Sequence, residues 1–105
     1  MSDRPAVRLL VSGRVQGVGF RYWAVGEAKR LGLDGWVRNH SDGTVEILAI
    51  GPAESLTRLA EACRRGPAFA KVVAVARGAE RDDGSRDFTQ KPAPEAAGGG
   101  GSAAI

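Results

Sequence analysis

A glycine-rich segment between a predicted strand and a predicted helix contains residue types that could bind an anion. It reads Gly-Arg-Val-Gln-Gly-Val-Gly-Phe-Arg and runs from Gly13 to Arg21. Glycine adopts positive φ angles readily, so such a loop can turn its backbone N–H groups inward around an anion. The positive end of the following helix points to the same place, and Arg21 in the first helical turn can add a bidentate guanidinium. The segment therefore predicts a phosphate-binding loop that needs no metal ion.

Glycine spacing alone leaves other interpretations of this loop open. The loop lacks the Gly-Lys-Ser/Thr of a Walker A sequence and does not match Gly-x-Gly-x-x-Gly, so nucleotide sites of these two kinds are not supported. A strand-to-helix turn with a solvated arginine fits the spacing at least as well. The phosphate hypothesis therefore depends on what the rest of the chain supplies.

A second polar segment joins two predicted strands, residues 35–39 and 44–50. The turn between them contains Asp-Gly, which is a strong hairpin signal. Asn39 ends the first of these strands, where an asparagine often bonds its own backbone in a turn. We expect His40 to be an exposed turn histidine and Asp42 to be a turn former, so neither is predicted to act as a base.

The remaining elements follow from the spacing of apolar residues and from glycine and proline. One helix is predicted from Phe20 to a stop at Gly32, and a second between Gly51-Pro52 and Gly66-Pro67. The other predicted strands are residues 7–12 and 72–76, with a short final strand anchored by Phe88 as an option. The order βαββαβ predicts an α+β, ferredoxin-like two-layer sandwich, with a four-stranded antiparallel sheet and both helices on one face.

Composition limits the classes of site that the chain can build. Its 105 residues, 43% of them hydrophobic and 26% charged, are typical of one small globular domain. The single cysteine, Cys63, excludes an internal disulfide and a multi-cysteine metal site, and the single histidine excludes a His-rich metal centre. We therefore expect no metal and no cofactor, and we predict that Cys63 packs in the core on the apolar stripe of the second helix.

The two ends of the chain and its net charge indicate where the protein works. No apolar run reaches the roughly 20 residues that cross a bilayer, and the first residues lack a signal-peptide pattern. We therefore expect a cytoplasmic protein without membrane contact, and we expect a monomer because no long apolar helix is left without a partner. A net charge of +3 is weak evidence for nucleic acid, so none is expected as a partner. Residues 1–91 are predicted to form the domain, and the Gly/Ala/Pro-rich residues 92–105 a disordered tail.

Taken together, segments 13–21 and 35–46 resemble the acylphosphatase family, and the resemblance extends from Val7 to Lys91. It implies an enzyme that hydrolyses acyl phosphates to a carboxylate and inorganic phosphate. It also implies that Arg21 binds the phosphoryl group, that Asn39 orients the attacking water, and that loop amides hold the phosphate oxygens. The loop residues concerned are Val15, Gln16, Gly17, Val18, Gly19 and Phe20.

The chemistry of an acyl phosphate explains why so few groups would suffice. Its leaving group is a carboxylate whose conjugate acid has a pKa of about 4, so it departs without being protonated. Phosphoryl transfer otherwise requires positioning and charge stabilisation. An asparagine is not a base near pH 7, so orientation of water is the role that fits Asn39. Hydrolysis by this route needs neither a metal nor a nucleophilic side chain.

Three other functions are compatible with the same fold class. An RNA-binding module would stack bases on sheet aromatics, but no predicted strand carries an aromatic-rich signature. A metal carrier would need a Cys-x-x-Cys loop, which the sequence lacks. A catalytically weak phosphate-binding domain, like those at the N-terminus of larger carbamoyl-transferring maturation proteins, remains an alternative. Hydrolysis of an acyl phosphate separates that alternative from an active enzyme.

Overall fold

The computed structural model describes residues 3–94, and its elements follow the order predicted from the sequence. They are β1 (Ala6–Arg14), α1 (Phe20–Arg30), β2 (Asp34–Asn39), β3 (Val45–Ile50), α2 (Ala53–Arg65), β4 (Lys71–Ala79) and β5 (Phe88–Gln90). The predicted α+β, ferredoxin-like class is confirmed. Strands β1 and β4 are longer than predicted because they pair with each other along nearly their whole length. Most of the predicted tail, residues 95–105, lies outside the described residues.

The sheet has five strands in the order β4-β1-β3-β2-β5, one more than the four antiparallel strands predicted, and the additional strand is the short one anticipated at Phe88. Strands β1 to β4 pair antiparallel, and β5 adds parallel to the outer side of β2. Gly35 pairs with Phe88 of β5, and a Cβ on Gly35 would lie 1.9 Å from the Leu48 carbonyl oxygen of β3 and 3.2 Å from the Phe88 ring. Only glycine therefore fits at this position, chiefly because of the β3 backbone, and the buried Phe88 attaches the short strand to the sheet edge.

Both helices pack against one face of the sheet and contact each other. Three residues on neighbouring strands point from this face towards the helices and are fully buried: Leu9, Val37 and Ile47. Cys63 is fully buried in the same cluster, as predicted, and burial raises the pKa of its thiol to about 12. None of the helices in the described part of the chain is both long and apolar enough to span a bilayer.

The sheet brings the two polar segments to the same edge. Val45, the first residue of β3, pairs with Val11 of β1 on one side and with Asn39 of β2 on the other. The loop that follows β1 and the turn that follows β2 therefore emerge side by side. A bulge at Gly13 directs the chain into that loop, and only glycine fits there, because a Cβ would lie 2.2 Å from the Lys71 carbonyl oxygen.

Candidate active site

A cavity of about 140 Å³ lies where the loop after β1, the first turn of α1 and the end of β2 meet. Most of the predicted site residues line it: Val15, Gln16, Gly17, Gly19, Phe20, Arg21 and Asn39. Val18 is the exception, because its side chain packs against the hydrophobic core instead. Tyr22 and Gln90 complete the wall. The structure thus brings the two predicted segments together around one small space.

The loop presents backbone N–H groups for which residues 3–94 supply no acceptor. Gly17 and Gly19 adopt φ angles of 74° and 81°, the left-handed conformation that glycine tolerates. Gly19 is the N-cap of α1, which begins without a side-chain cap; Trp23 N donates to Gly19 O at 3.0 Å. Within residues 3–94, no acceptor is found for the N–H groups of residues 16–22. These donors and the helix dipole suit an anion.

Two buried side chains fix the ends of this loop. Val15 and Phe20 are each 1% exposed and belong to the main hydrophobic cluster. The Phe20 ring also meets Trp23 edge to face, with ring centroids 5.2 Å apart. Anchors on both sides hold the intervening glycines in place even though glycine is intrinsically flexible. The side chains of Val15 and Phe20 therefore support the loop, while its backbone faces the cavity.

Gln16 connects the loop to the β2–β3 hairpin. Its side-chain Nε2 donates to the carbonyl oxygens of His40 at 2.7 Å and Thr44 at 2.9 Å. The side chain therefore uses its donors on the hairpin. The sequence predicts Gln16 as a loop residue, and the structure adds that its amide fixes the distance between the loop and the strand that carries Asn39.

Arg21 is the one charged residue among those that line the cavity. It forms no salt bridge with any carboxylate in residues 3–94, and the first turn of α1 contains no acidic residue. Its guanidinium keeps a planar set of donors that matches two oxygens of a phosphoryl group. The cavity therefore combines one positive charge with the donors of the loop.

Asn39 approaches the cavity from the opposite wall. It lies two residues after Val37, which is buried against the helices, so its side chain is on the helix face of β2. Its Oδ1 is buried and accepts no hydrogen bond from the described residues. An amide can hold a water by accepting at Oδ1 or by donating from Nδ2, and it exchanges no proton itself.

Two lining residues were not predicted from the sequence. Tyr22 is 80% exposed at the rim, directly after Arg21 in the first turn of α1, so its position beside a predicted ligand residue was an available signal. Gln90 reaches the cavity because β5 pairs parallel to β2, with Gln90 opposite Val37. No local pattern indicates that pairing, so Gln90 had no comparable signal.

The turn after β2 differs in part from its prediction. Asp42 accepts hydrogen bonds from the hydroxyl and the backbone of Thr44, which lower the pKa of its carboxyl group, so its role as a turn former is confirmed. His40 was expected to be exposed, but its ring is held by Glu46, with 2.6 Å between Nε2 and Oε1. A buried carboxylate on the neighbouring strand therefore fixes this histidine.

Residues 7–90 match the family model described as Acylphosphatase. An acylphosphatase of Rhizorhabdus wittichii is 48% identical over 92 residues, which cover 86% of this chain and 91% of that relative. The crystal structure of acylphosphatase from Bacillus subtilis superposes with a TM-score of 0.80 at 43% identity, over 83% of this chain and 98% of that one.

A longer protein contains the same fold. Full-length HypF, in its phosphate- and nucleotide-bound form, matches with a TM-score of 0.77 at 22% identity. The match covers 89% of this chain but 13% of that one. At this level of identity the likeness concerns the fold alone. The two acylphosphatases described above, in contrast, are matched over 91% and 98% of their length.

Proposed function

The chain belongs to the acylphosphatase family, and from this premise we propose that Arg21 and Asn39 are its catalytic residues. An acylphosphatase hydrolyses an acyl phosphate to a carboxylate and inorganic phosphate. One observation carries the proposal: Arg21 and Asn39 line the same small cavity. Within residues 3–94, the Arg21 guanidinium has no salt-bridge partner and Asn39 Oδ1 has no hydrogen-bond donor. The free N–H groups of the loop belong to the same site.

Arg21 and the loop amides bind the phosphoryl group in this proposal. The guanidinium engages two of the phosphoryl oxygens, and the N–H groups of residues 16–22 engage the others. Donors that are already in position stabilise the charge that moves during phosphoryl transfer without further reorganisation. The proposed reaction is independent of metal ions, because these groups supply the positive potential that a cation would otherwise provide.

Asn39 orients the water. The water oxygen attacks phosphorus in line with the bond to the acyl oxygen; that bond breaks, and its electron pair leaves with the carboxylate. The water loses one proton to the phosphate product, so no side chain is required as an acid or a base. Because the water is held in position relative to phosphorus, the attack becomes effectively unimolecular and its entropic cost falls.

The cavity also limits the substrate. A volume of about 140 Å³ accommodates a phosphoryl group and a water, so the acyl group extends past the rim formed in part by Tyr22. The cavity therefore selects the phosphoryl end of the substrate, and we propose small acyl phosphates as substrates because the chain belongs to the acylphosphatase family. Cytoplasmic location, a monomeric state and the absence of a nucleic-acid partner remain predictions from the sequence. So does the division into a domain at 1–91 and a tail at 92–105.

Hydrolysis of benzoyl phosphate by the full chain, treated with EDTA and measured with and without added inorganic phosphate, tests this function. We expect turnover to survive chelation and phosphate to inhibit competitively, because product and substrate share the loop. Activity that disappears on chelation and returns with a divalent cation would contradict the metal-independent mechanism. Phosphate binding without turnover would instead support the weak phosphate-binding module considered above.

A further inference from the structure

Glu46 lies on the face of the sheet opposite the candidate active site, and it is the one acidic residue buried in residues 3–94. It is 6% exposed. Its neighbour Ile47 packs against the helices, and side chains alternate along a strand, so Glu46 points to the other face. A buried carboxylate is expensive to maintain unless cations and hydrogen bonds compensate its loss of hydration.

Three side chains provide that compensation. Arg8 Nε donates to Glu46 Oε2 at 2.6 Å, Arg38 Nε donates to Oε1 at 2.9 Å, and His40 Nε2 lies 2.6 Å from Oε1. Burial alone would raise the pKa of Glu46, but the hydrogen bonds from its three partners have the larger effect, and the pKa is lowered to about 2. Glu46 is thus an ionised acceptor at neutral pH, and His40 must donate from Nε2.

Two of these partners flank Asn39 in the sequence. Arg38 and His40 reach Glu46 on one side of β2, while Asn39 between them faces the cavity on the other side. The carbonyl oxygen of His40 also accepts the hydrogen bond from Gln16. One carboxylate therefore holds both neighbours of Asn39, and through His40 it is connected to the loop.

We propose that Glu46 is a positioning residue for Asn39. By binding Arg38 and His40 from the far face of the sheet, it fixes the end of β2 and limits the tilt of the Asn39 amide. This inference rests on the proposed role of Asn39 in orienting the water. A displacement of about 1 Å in a reacting group can reduce the rate roughly a hundredfold, so a partial loosening is expected to be measurable.

A purely structural role for Glu46 predicts a different result. In that case its loss would lower stability but leave turnover unchanged in folded protein. The chain offers a matched control in Asp82, whose side chain is 11% exposed and accepts from Arg4 at 2.8 Å. Arg4 also pairs with Asp34 at the other end of β2, away from Asn39. Loss of Asp82 therefore breaks a similar ion pair without affecting the site.

The experiment compares Glu46→Gln, Asp82→Asn, Asn39→Ala and the double variant Asn39→Ala/Glu46→Gln. For each we would measure kcat and KM for benzoyl phosphate and the inhibition constant of phosphate, at a temperature where circular dichroism shows folded protein. For Glu46→Gln we expect kcat to fall about tenfold, with KM and the inhibition constant changed by less than about twofold. For Asp82→Asn we expect wild-type kcat.

The double variant tests the route of the effect. If Glu46 acts through Asn39, adding Glu46→Gln to Asn39→Ala changes kcat by less than about twofold. Full additivity of the two losses would overturn the proposal. So would wild-type kcat in folded Glu46→Gln, or a rise in KM and the inhibition constant with kcat intact, which would mean that Glu46 acts on the loop.

The design separates failure of this inference from failure of the proposed function. If Asn39→Ala itself retains kcat, the assignment of Asn39 is wrong, and this inference fails with it. If Asn39→Ala loses kcat and Glu46→Gln does not, only the positioning role is wrong. If Glu46→Gln does not fold, His40→Ala takes its place, because it removes one link and leaves both arginine pairs. A loss of kcat of about threefold at unchanged KM is then expected, and wild-type kcat would overturn the proposal.

Discussion

The side-chain amide of Gln16 donates a hydrogen bond of 2.7 Å to the backbone carbonyl of His40. A second hydrogen bond from the same nitrogen reaches the carbonyl of Thr44 at 2.9 Å. The primary amide matches two acceptors because its nitrogen carries two N–H donors. The loop proposed to bind phosphate and the strand end proposed to hold water are thus joined by one side chain.

Replacement of Gln16 by Met tests this connection. Methionine keeps a similar volume but donates to neither carbonyl, so we expect kcat for benzoyl phosphate to fall about tenfold as the loop and Asn39 lose their fixed separation. Each carbonyl keeps one backbone donor, Gly43 N for His40 and His40 N for Thr44, so urea unfolding should show a loss of about 1–2 kcal/mol from the two side-chain hydrogen bonds alone. Wild-type kcat in Gln16→Met would show that the hydrogen bonds do not affect the site geometry.

Asn39→Ala is expected to act on turnover rather than on binding. Removing the amide that orients the water should lower kcat about a hundredfold or more, while inhibition by phosphate stays near the wild-type level. Steady-state kinetics with phosphate as a competitive inhibitor provide both values. A selective loss of phosphate affinity at normal kcat would mean that Asn39 binds the phosphoryl group and that the proposed roles are reversed.

Local sequence placed the loop between a strand and a helix and Asn39 at a strand end, while the roles predicted for them came from the resemblance to the acylphosphatase family. The loop has glycines at positions with positive φ, and an arginine follows them in the first turn of a helix. This pattern indicates a tight strand-to-helix loop whatever the rest of the chain contains. The local pattern around Asn39 predicts only a residue that ends a strand before a turn, and its predicted role in orienting water came from the family resemblance. These features depend on a few neighbouring residues, and the fold class follows from the order of the elements in the same way.

Long-range contacts account for what the sequence did not reveal. Strand β5 has three residues, too few for a periodic pattern, and its parallel pairing with β2 joins residues that are far apart in the sequence. Glu46 occupies a strand position whose alternation predicts a solvent-facing side chain, yet Arg8 and Arg38 on both neighbouring strands cover it. Its burial, and hence the position of His40, could not be predicted before the register of three strands was known.

Because Glu46 is held as a carboxylate, the free energy of unfolding should depend on pH in the acidic range. Its pKa is lowered from 4.5 to about 2 in the folded protein, so its contribution is fully present above pH 4.5 and is lost as the pH falls towards 2. The maximum contribution is on the order of 3 kcal/mol. Urea unfolding of wild type and Glu46→Gln at several pH values measures it.

The difference in unfolding free energy between the two proteins is expected to shrink between pH 4.5 and 2. Other carboxyl groups with lowered pKa, such as Asp82, are present in both proteins and cancel in the difference. A difference that is constant over this range would show that Glu46 is not held as a carboxylate by its three partners.

Cys63 should be unreactive in the folded protein. Burial raises the pKa of its thiol to about 12, and the thiolate is the reactive form, so both access and ionisation are suppressed. We expect slow labelling by a disulfide reagent at pH 8 in buffer and rapid labelling in denaturant. Rapid labelling of folded protein, confirmed by circular dichroism, would contradict the placement of Cys63 in the core.

The role of Arg21 is the central claim, and benzoyl phosphate hydrolysis by Arg21→Ala tests it most directly. Arg30 near the end of the same helix is an exposed arginine paired with Glu27, so Arg30→Ala is the matched control. We expect kcat/KM to fall by at least about a thousandfold in Arg21→Ala and to stay at the wild-type value in Arg30→Ala. Arg21→Lys should recover only part of the loss, because an ammonium group does not bind two oxygens in one plane. Folded Arg21→Ala protein with kcat/KM within about tenfold of wild type would contradict the assignment of the phosphoryl group to this cavity.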